Sequence, residues 1–227
     1  MFELYIGNKN YSSWSLRSWV LLQALGIPFT EHLRSFSAGG NPEFRSFSPS
    51  GRVPCLHDGG AVVWDSLGIA EYVAEKHPGV WPADPAARAW ARCAAAEMHS
   101  GFGALRNRCT MNCGVRVRLA GVPPDLATDL ARIDQLWNEG LTRFGGPFLA
   151  GLRFTAADAF YAPVVLRAQT YGLSFTGPAG RYVEHMLALP ALRAWYDAGI
   201  AETWREPGHD AELQASGTLL QDLRAKA

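Results

Sequence analysis

Apolar and polar positions change their rhythm near residue 80. Before it, short apolar runs alternate with helical ones. Phe2–Ile6 is a run of strand-forming residues. Residues 15–25 repeat apolar positions at helical spacing and stop at Gly26, a residue suited to the left-handed backbone just past a helix end. Residues 28–33 predict a second strand. Residues 53–57 and Ala61–Trp64 predict two more, separated by the turn residues Asp58, Gly59 and Gly60. Asp65 and Ser66 open a helix running to about Lys76, with Ile69, Tyr72 and Val73 on one face. The order is β-α-β, a loop with room for a short helix, then β-β-α. The first two strands, joined by a helix, are predicted to be parallel.

Residues 77–85 are proline-rich and read as a linker. After them no strand is predicted. Residues 86–107, 125–144 and 155–170 carry long helical patterns, and 180–187 and 191–198 shorter ones. The segment beyond Trp204 is left unassigned. The pattern predicts a small α/β domain over residues 1–80 and an all-α domain over 86–227.

Composition narrows the class. Of 227 residues 48% are hydrophobic and 19% charged, enough apolar surface to build a core and exclude disorder. No run approaches the ~18 apolar residues of a membrane span. The first residues lack the basic and apolar regions of a signal peptide, so a cytoplasmic location is expected. A net charge of +0 argues against nucleic acid as a partner. Cys55, Cys93, Cys109 and Cys113 are too few for a disulfide scaffold. Cys109 and Cys113 have no second ligand pair at metal-binding spacing, so no metal is expected.

Three segments carry candidate chemistry. Ser12, Ser13, Trp14 and Ser15 lie between the first strand and its helix, where free amides and the helix dipole favour an anion. A serine there can equally be an ordinary N-cap. Arg52, Val53 and Pro54 enter the third strand; a cis bond before Pro54 would turn the Val53 backbone outward, free to pair with a peptide-like ligand. Asp65 and Ser66 open the next helix, where a hydroxyl and an amide can receive a carboxylate and Asp65 an ammonium. Plain capping is again the alternative.

Taken in order, these motifs resemble the cytosolic glutathione transferases, over essentially the whole chain. The helix sequence from Ser66 to Tyr72 fits, as do Gly151 and the Thr155–Asp158 box, which can satisfy two buried donors ahead of a helix. The serine-type theta and zeta classes are the most similar. Zeta proteins carry Ser-Ser-Cys-Ser at the turn, and Trp14 stands in place of that cysteine. Their isomerases have an arginine seven residues beyond the proline of the capped helix. Counted from Pro163, that position is Thr170, and the nearest arginine is Arg167. Cysteine-type relatives carry a cysteine in the first turn of the first helix, which is absent here; Cys55 is expected to be a core residue.

The resemblance implies a thioredoxin-like domain followed by a helical one, usually in a homodimer, with glutathione as co-substrate. It implies that a serine donates a hydrogen bond to the glutathione sulfur and favours the thiolate. Spacing to Gly26 selects Ser12, with Ser13 as competitor. Val53 would pair with the cysteinyl backbone, and Asp65 and Ser66 would hold the γ-glutamyl end. Arg52 would lie near the glycine end. A small hydrophobic electrophile is expected between the domains, near Trp14, Phe102, Arg106 and Met111. Conjugation, isomerisation, dehalogenation and peroxidase chemistry share one activated thiol and stay open. The alternative is a non-enzymatic relative that binds a protein partner. A bare redox protein is disfavoured, because no Cys-x-x-Cys is present.

Overall fold

A computed structural model describes residues 1–37 and 40–225. The strands β1 (Phe2–Ile6), β2 (Phe29–Leu33), β3 (Cys55–Asp58) and β4 (Ala61–Trp64) form one sheet in the order β2-β1-β3-β4. β1 and β2 pair in parallel, as their helical crossover requires, while β1–β3 and β3–β4 are antiparallel. Helix α1 (Ser13–Ala24) and helix α2 (Ser66–Ala74) belong to this half, with a 3₁₀ turn at Pro42–Ser46 where the loop had room for one. Leu4, Ile6, Leu16, Val20, Leu56 and Ile69 are buried together in the core.

The second half contains α3 (Pro85–Ser100), α4 (Gly103–Arg108), α5 (Pro124–Phe144), α6 (Ala156–Tyr171), α7 (Gly177–Leu187), α8 (Pro190–Ala201) and α9 (Pro207–Ser216). Helix α6 is buried nearly all round and packs against both α1 and α3, so it joins the two halves into one core. It starts with the capping box expected at Thr155 and Asp158. The Thr155 amide donates to Asp158 Oδ2 at 2.9 Å, and the Leu149 amide and Tyr182 hydroxyl donate to Oδ1 at 2.9 and 3.1 Å.

Three expectations are corrected. The helical run over 86–107 is two helices. At Gly101 a Cβ would lie 2.8 Å from the Glu97 carbonyl oxygen, and Phe102 is left-handed at φ 56°, so the chain turns there. Strands also occur after residue 80. β5 (Val115–Leu119) pairs antiparallel with β6 (Gly217–Asp222), and the previously unassigned tail supplies the second of them. The first helix begins at Ser13, earlier than the pattern over 15–25 indicates, because a serine cap and not an apolar residue starts it. No helix among the described residues is long and apolar enough to cross a membrane.

Candidate active site

The turn after β1 is held from several directions. The Asn8 carbonyl accepts the Tyr11 and Ser12 amides at 3.2 and 2.8 Å. The Glu202 carboxylate accepts the Lys9 and Asn10 amides at 2.8 and 3.2 Å, and burial raises its pKa above the ordinary carboxyl value. Helix α8 approaches so closely that a Cβ at Gly199 would lie 3.2 Å from the Asn10 nitrogen. The Tyr11 hydroxyl donates to Asp210 at 3.3 Å and accepts from Arg224 at 3.2 Å, while Arg224 also pairs with Asp210 at 2.7 Å.

This frame delivers Ser12 to the N-cap of α1. Its Oγ accepts the Ser15 amide at 3.3 Å and donates to Ser15 Oγ at 2.7 Å; Ser15 Oγ in turn accepts the Gly7 amide at 3.0 Å. Ser12 is therefore the capping residue of α1. Ser13 is the first helical residue and is half-buried. Among the described residues its hydroxyl, and the amide of Trp14, have no hydrogen-bond partner.

A cavity of about 720 Å³ opens beside this turn. Ser12, Ser13, Trp14, Arg52 and Val53 line it from the first half of the chain, and Arg106, Met111 and Arg167 from the second. The Val53–Pro54 bond is cis. Val53 precedes the strand register that starts at Cys55↔Trp64, and Pro54 is buried behind the wall. Phe102, expected near the electrophile, belongs to the core instead: it is buried with its ring 6.5 Å from that of Tyr161. The left-handed turn at Phe102 directs it inward, and Arg106, on α4, reaches the cavity.

Asp65 and Ser66 are not part of this wall. They lie at the start of α2, across from the end of α3, and connect to the cavity through one side chain. His99 Nε2 is 3.4 Å from Asp65 Oδ2, and its ring meets Trp14 edge-on at 5.3 Å between centroids. Burial lowers the His99 pKa, so the ring is neutral at pH 7. Asp65 has φ 63°, a backbone rarely adopted by a residue with a side chain, costing about 1–3 kcal/mol. Its carboxylate offsets part of that cost by capping the Leu67 amide at 2.8 Å. The Ser66 hydroxyl is buried and has no partner. A buried hydroxyl left unpaired is costly unless a ligand completes it. The unpaired Ser66 hydroxyl and Trp14 amide fit a ligand with anionic and peptide-like groups.

Sequence reasoning missed Arg17. It is fully buried on α1, 4.1 Å from the Trp14 ring centroid, with Nε and Nη1 unpaired. Burial, together with Arg167 and Arg106, lowers its pKa to about 9, so it stays charged at neutral pH. An arginine in the middle of an apolar helix face was the available signal. Cys55 is buried, and burial raises its thiol pKa, as befits a core residue and not a nucleophile.

A thioredoxin-like sheet, a mostly helical partner domain and a serine-capped helix opening onto a cavity lined by both define the class of two-domain fold. Comparison with known proteins makes the assignment specific. The family model for the glutathione S-transferase N-terminal domain matches residues 11–76, and that for the C-terminal domain matches residues 70–198. Glutathione S-transferase D7 of Drosophila melanogaster is 34% identical over 217 residues, covering 91% of this chain and 88% of its own. Maleylacetoacetate isomerase of Rattus norvegicus is 24% identical, covering 93% of this chain and 96% of its own. A glutathione transferase homolog from Burkholderia, solved with bound glutathione, superposes with a TM-score of 0.66 at 23% identity, covering 87% of this chain and 97% of that one. The chain belongs to the glutathione S-transferase family, a family of enzymes.

Proposed function

We propose that this enzyme binds glutathione along the cavity and activates its thiol for attack on a small electrophile. The observation that carries the reading is the serine-capped start of α1 opening onto the cavity beside Val53, with an uncommitted amide at Trp14. A thiolate placed there meets the positive end of the helix dipole and a hydroxyl donor, both of which favour the charged form over the thiol. We assign the donor hydroxyl to Ser12, with Ser13 as its rival. Ser12 is the more buried of the two and lies at the turn itself. To serve, it redirects the proton now given to Ser15 Oγ, which a hydroxyl does by rotation.

The rest of the peptide follows from the same frame. The Val53 backbone pairs with the cysteinyl residue. The unpaired Ser66 hydroxyl receives the γ-glutamyl carboxylate, and the strained Asp65 turns its second oxygen to the ammonium. Arg52, exposed at the mouth, lies toward the glycine end. The unit of function we propose is a cytoplasmic homodimer, each chain dividing into residues 1–80 and 86–227. Titration calorimetry with reduced glutathione tests the reading: binding in the millimolar range or tighter supports it, and no heat at several millimolar overturns it.

A further inference from the structure

The residue before Ser12 is wired to the last segment of the chain. Tyr11 is buried. Its hydroxyl donates to Asp210 Oδ1 at 3.3 Å, accepts Nη1 of Arg224 at 3.2 Å and accepts the Glu206 amide at 3.5 Å. Its ring meets that of Trp204 edge-on, and lies 5.2 Å from that of His209 between centroids. All of these partners come from the tail, residues 204–225. Through its backbone Tyr11 is tied to the serine turn. Its amide donates to the Asn8 carbonyl at 3.2 Å, and its carbonyl accepts the Ser13 amide at 3.0 Å. Ser12 is the residue between those two bonds, so a rotation of Tyr11 carries the Ser12 hydroxyl with it.

Arg224 is held on both sides along the chain. The Leu223 amide donates to the Gly114 carbonyl at 2.7 Å, and the Ala225 amide to the Ile200 carbonyl at 2.8 Å. The Arg224 side chain crosses Gly114, where a Cβ would run into it. Nε and Nη2 pair with Asp222 at 2.9 and 2.7 Å, and Nη1 with Asp210 at 2.7 Å. Both carboxylates belong to the same tail. Among the described residues, Tyr11 is the one hydrogen-bond partner of this side chain outside the tail. A planar guanidinium fixed by two carboxylates presents its remaining donor capacity in a set direction. Burial, with the Asp210 carboxylate beside it, raises the Tyr11 pKa, so the phenol keeps its proton at neutral pH. Tyr11 and Ser12 line the cavity, and Arg224 does not.

We propose that Arg224 is a positioning residue for thiol activation: it holds the Tyr11 hydroxyl, and through Tyr11 it fixes where Ser12 points. The inference rests on the glutathione-transferase reading and makes the tail a working part of the thiol site. A hydrogen bond weakens steeply when its angle opens, and a misplacement of about 1 Å in a positioned group can cost ~100-fold in rate.

The test is the ultraviolet absorbance of bound glutathione thiolate, titrated with pH, which needs no electrophile. It is run on the wild type, Arg224→Met, Arg224→Lys, Tyr11→Phe and the double variant Tyr11→Phe/Arg224→Met, beside thermal melts and calorimetry with glutathione. Arg224→Met should raise the thiol pKa by about half a unit, roughly a threefold loss of ionisation, because the donor is displaced and not deleted. Glutathione affinity should stay within about threefold, since the peptide contacts proposed above lie elsewhere. Tyr11→Phe keeps the ring and its packing, and should give the same rise. The double variant should add nothing further, as for two residues acting through one path. Arg224→Lys keeps the charge without the fork and should recover part of the wild-type value. A melting temperature that falls in Arg224→Met with the thiol pKa unmoved shows a merely structural arginine and overturns the proposal, while the transferase reading stands. A rise in Arg224→Met without one in Tyr11→Phe overturns it as well. Should Arg224→Met fail to fold, Tyr11→Phe decides alone. A wild type that binds no glutathione, or binds it with its thiol pKa unshifted, overturns the activation reading and this proposal together.

Discussion

Replacing Ser12 by alanine should raise the pKa of the bound glutathione thiol by about one unit. A hydrogen bond to a charged acceptor contributes ~1.5–3 kcal/mol. In the free protein the Ser12 proton is already given to Ser15 Oγ at 2.7 Å, a neutral bond of ~0.5–1.5 kcal/mol that is lost when the hydroxyl turns to sulfur. The net is about 1.5 kcal/mol, and one pKa unit is ~1.36 kcal/mol. The same substitution removes the α1 cap at the Ser15 amide, so it should also lower stability by about 1 kcal/mol. Ser13→Ala removes no cap and should leave stability unchanged within ~0.5 kcal/mol. The assay is the ultraviolet absorbance of the bound thiolate, titrated with pH for the wild type and both variants, beside a thermal melt. Glutathione affinity should change little in Ser12→Ala, since the contacts proposed for Val53 and Ser66 lie elsewhere on the peptide. A pKa rise confined to Ser13→Ala refutes the assignment and moves the donor one residue along. If neither variant moves the pKa, activation belongs to the Trp14 amide and the helix dipole.

Ser66→Ala should weaken glutathione by about 1–3 kcal/mol, measured by calorimetry, because it removes a buried hydroxyl without a protein partner that we propose receives the γ-glutamyl carboxylate; unchanged affinity would place that carboxylate elsewhere. Asp158→Ala should cost about 2–4 kcal/mol in urea unfolding, beyond a simple cap, because its loss strands the Leu149 and Thr155 amides in the core; turnover per folded molecule should persist. Burial lifts Asp158 from 3.8 to about 6, so the stability linked to its protonated form is full below pH ~4 and lost as pH rises through 6. Asp158→Asn should remove that slope from a stability–pH profile. Glutathione affinity should fall on acidification beyond the ordinary imidazole range, because His99, whose pKa is lowered by burial, then becomes a cation facing Asp65 and competes for it. His99→Gln should flatten that part of the profile; an unaltered profile would exclude His99 from the ammonium site.

The sheet and the segments flanking the site were legible because each carries a local signal. Phe2–Ile6 and Ala61–Trp64 stand in the structure with the bounds read from their residues. The serine turn, Val53-Pro54 and Asp65-Ser66 were singled out by their order along the chain, and the bond before Pro54 is cis. Other features depended on distant partners. Val115, Val117 and Leu119 alternate with Arg116 and Arg118, a strand signal too short to stand alone, and its partner β6 follows nearly a hundred residues later. The break at Gly101 was hidden by the alanine-rich helical pattern that leads into it. Arg17 breaks an apolar stretch of α1, but its burial depends on α6, which packs against α1 from far along the chain. That Asp65 and Ser66 stand apart from the cavity beside the serine turn, linked through His99, follows from how α3 ends, which periodicity does not encode.

The Glu202 and Arg224 contacts make the serine turn a product of assembly between remote parts of the chain. Lys9 and Glu202 are 193 residues apart, and Tyr11 and Arg224 are 213 apart. Loops of that size close late, after local structure has formed. Residues 1–80 expressed alone would carry the serines, Val53 and Ser66, yet would lack the carboxylate and guanidinium that fix residues 9–11. Such a fragment could hold its sheet and still present a slack nucleophile site. In a folding experiment, thiol-activating capacity should therefore emerge after helical signal and core burial are complete, so that chemical competence itself reports the final docking step.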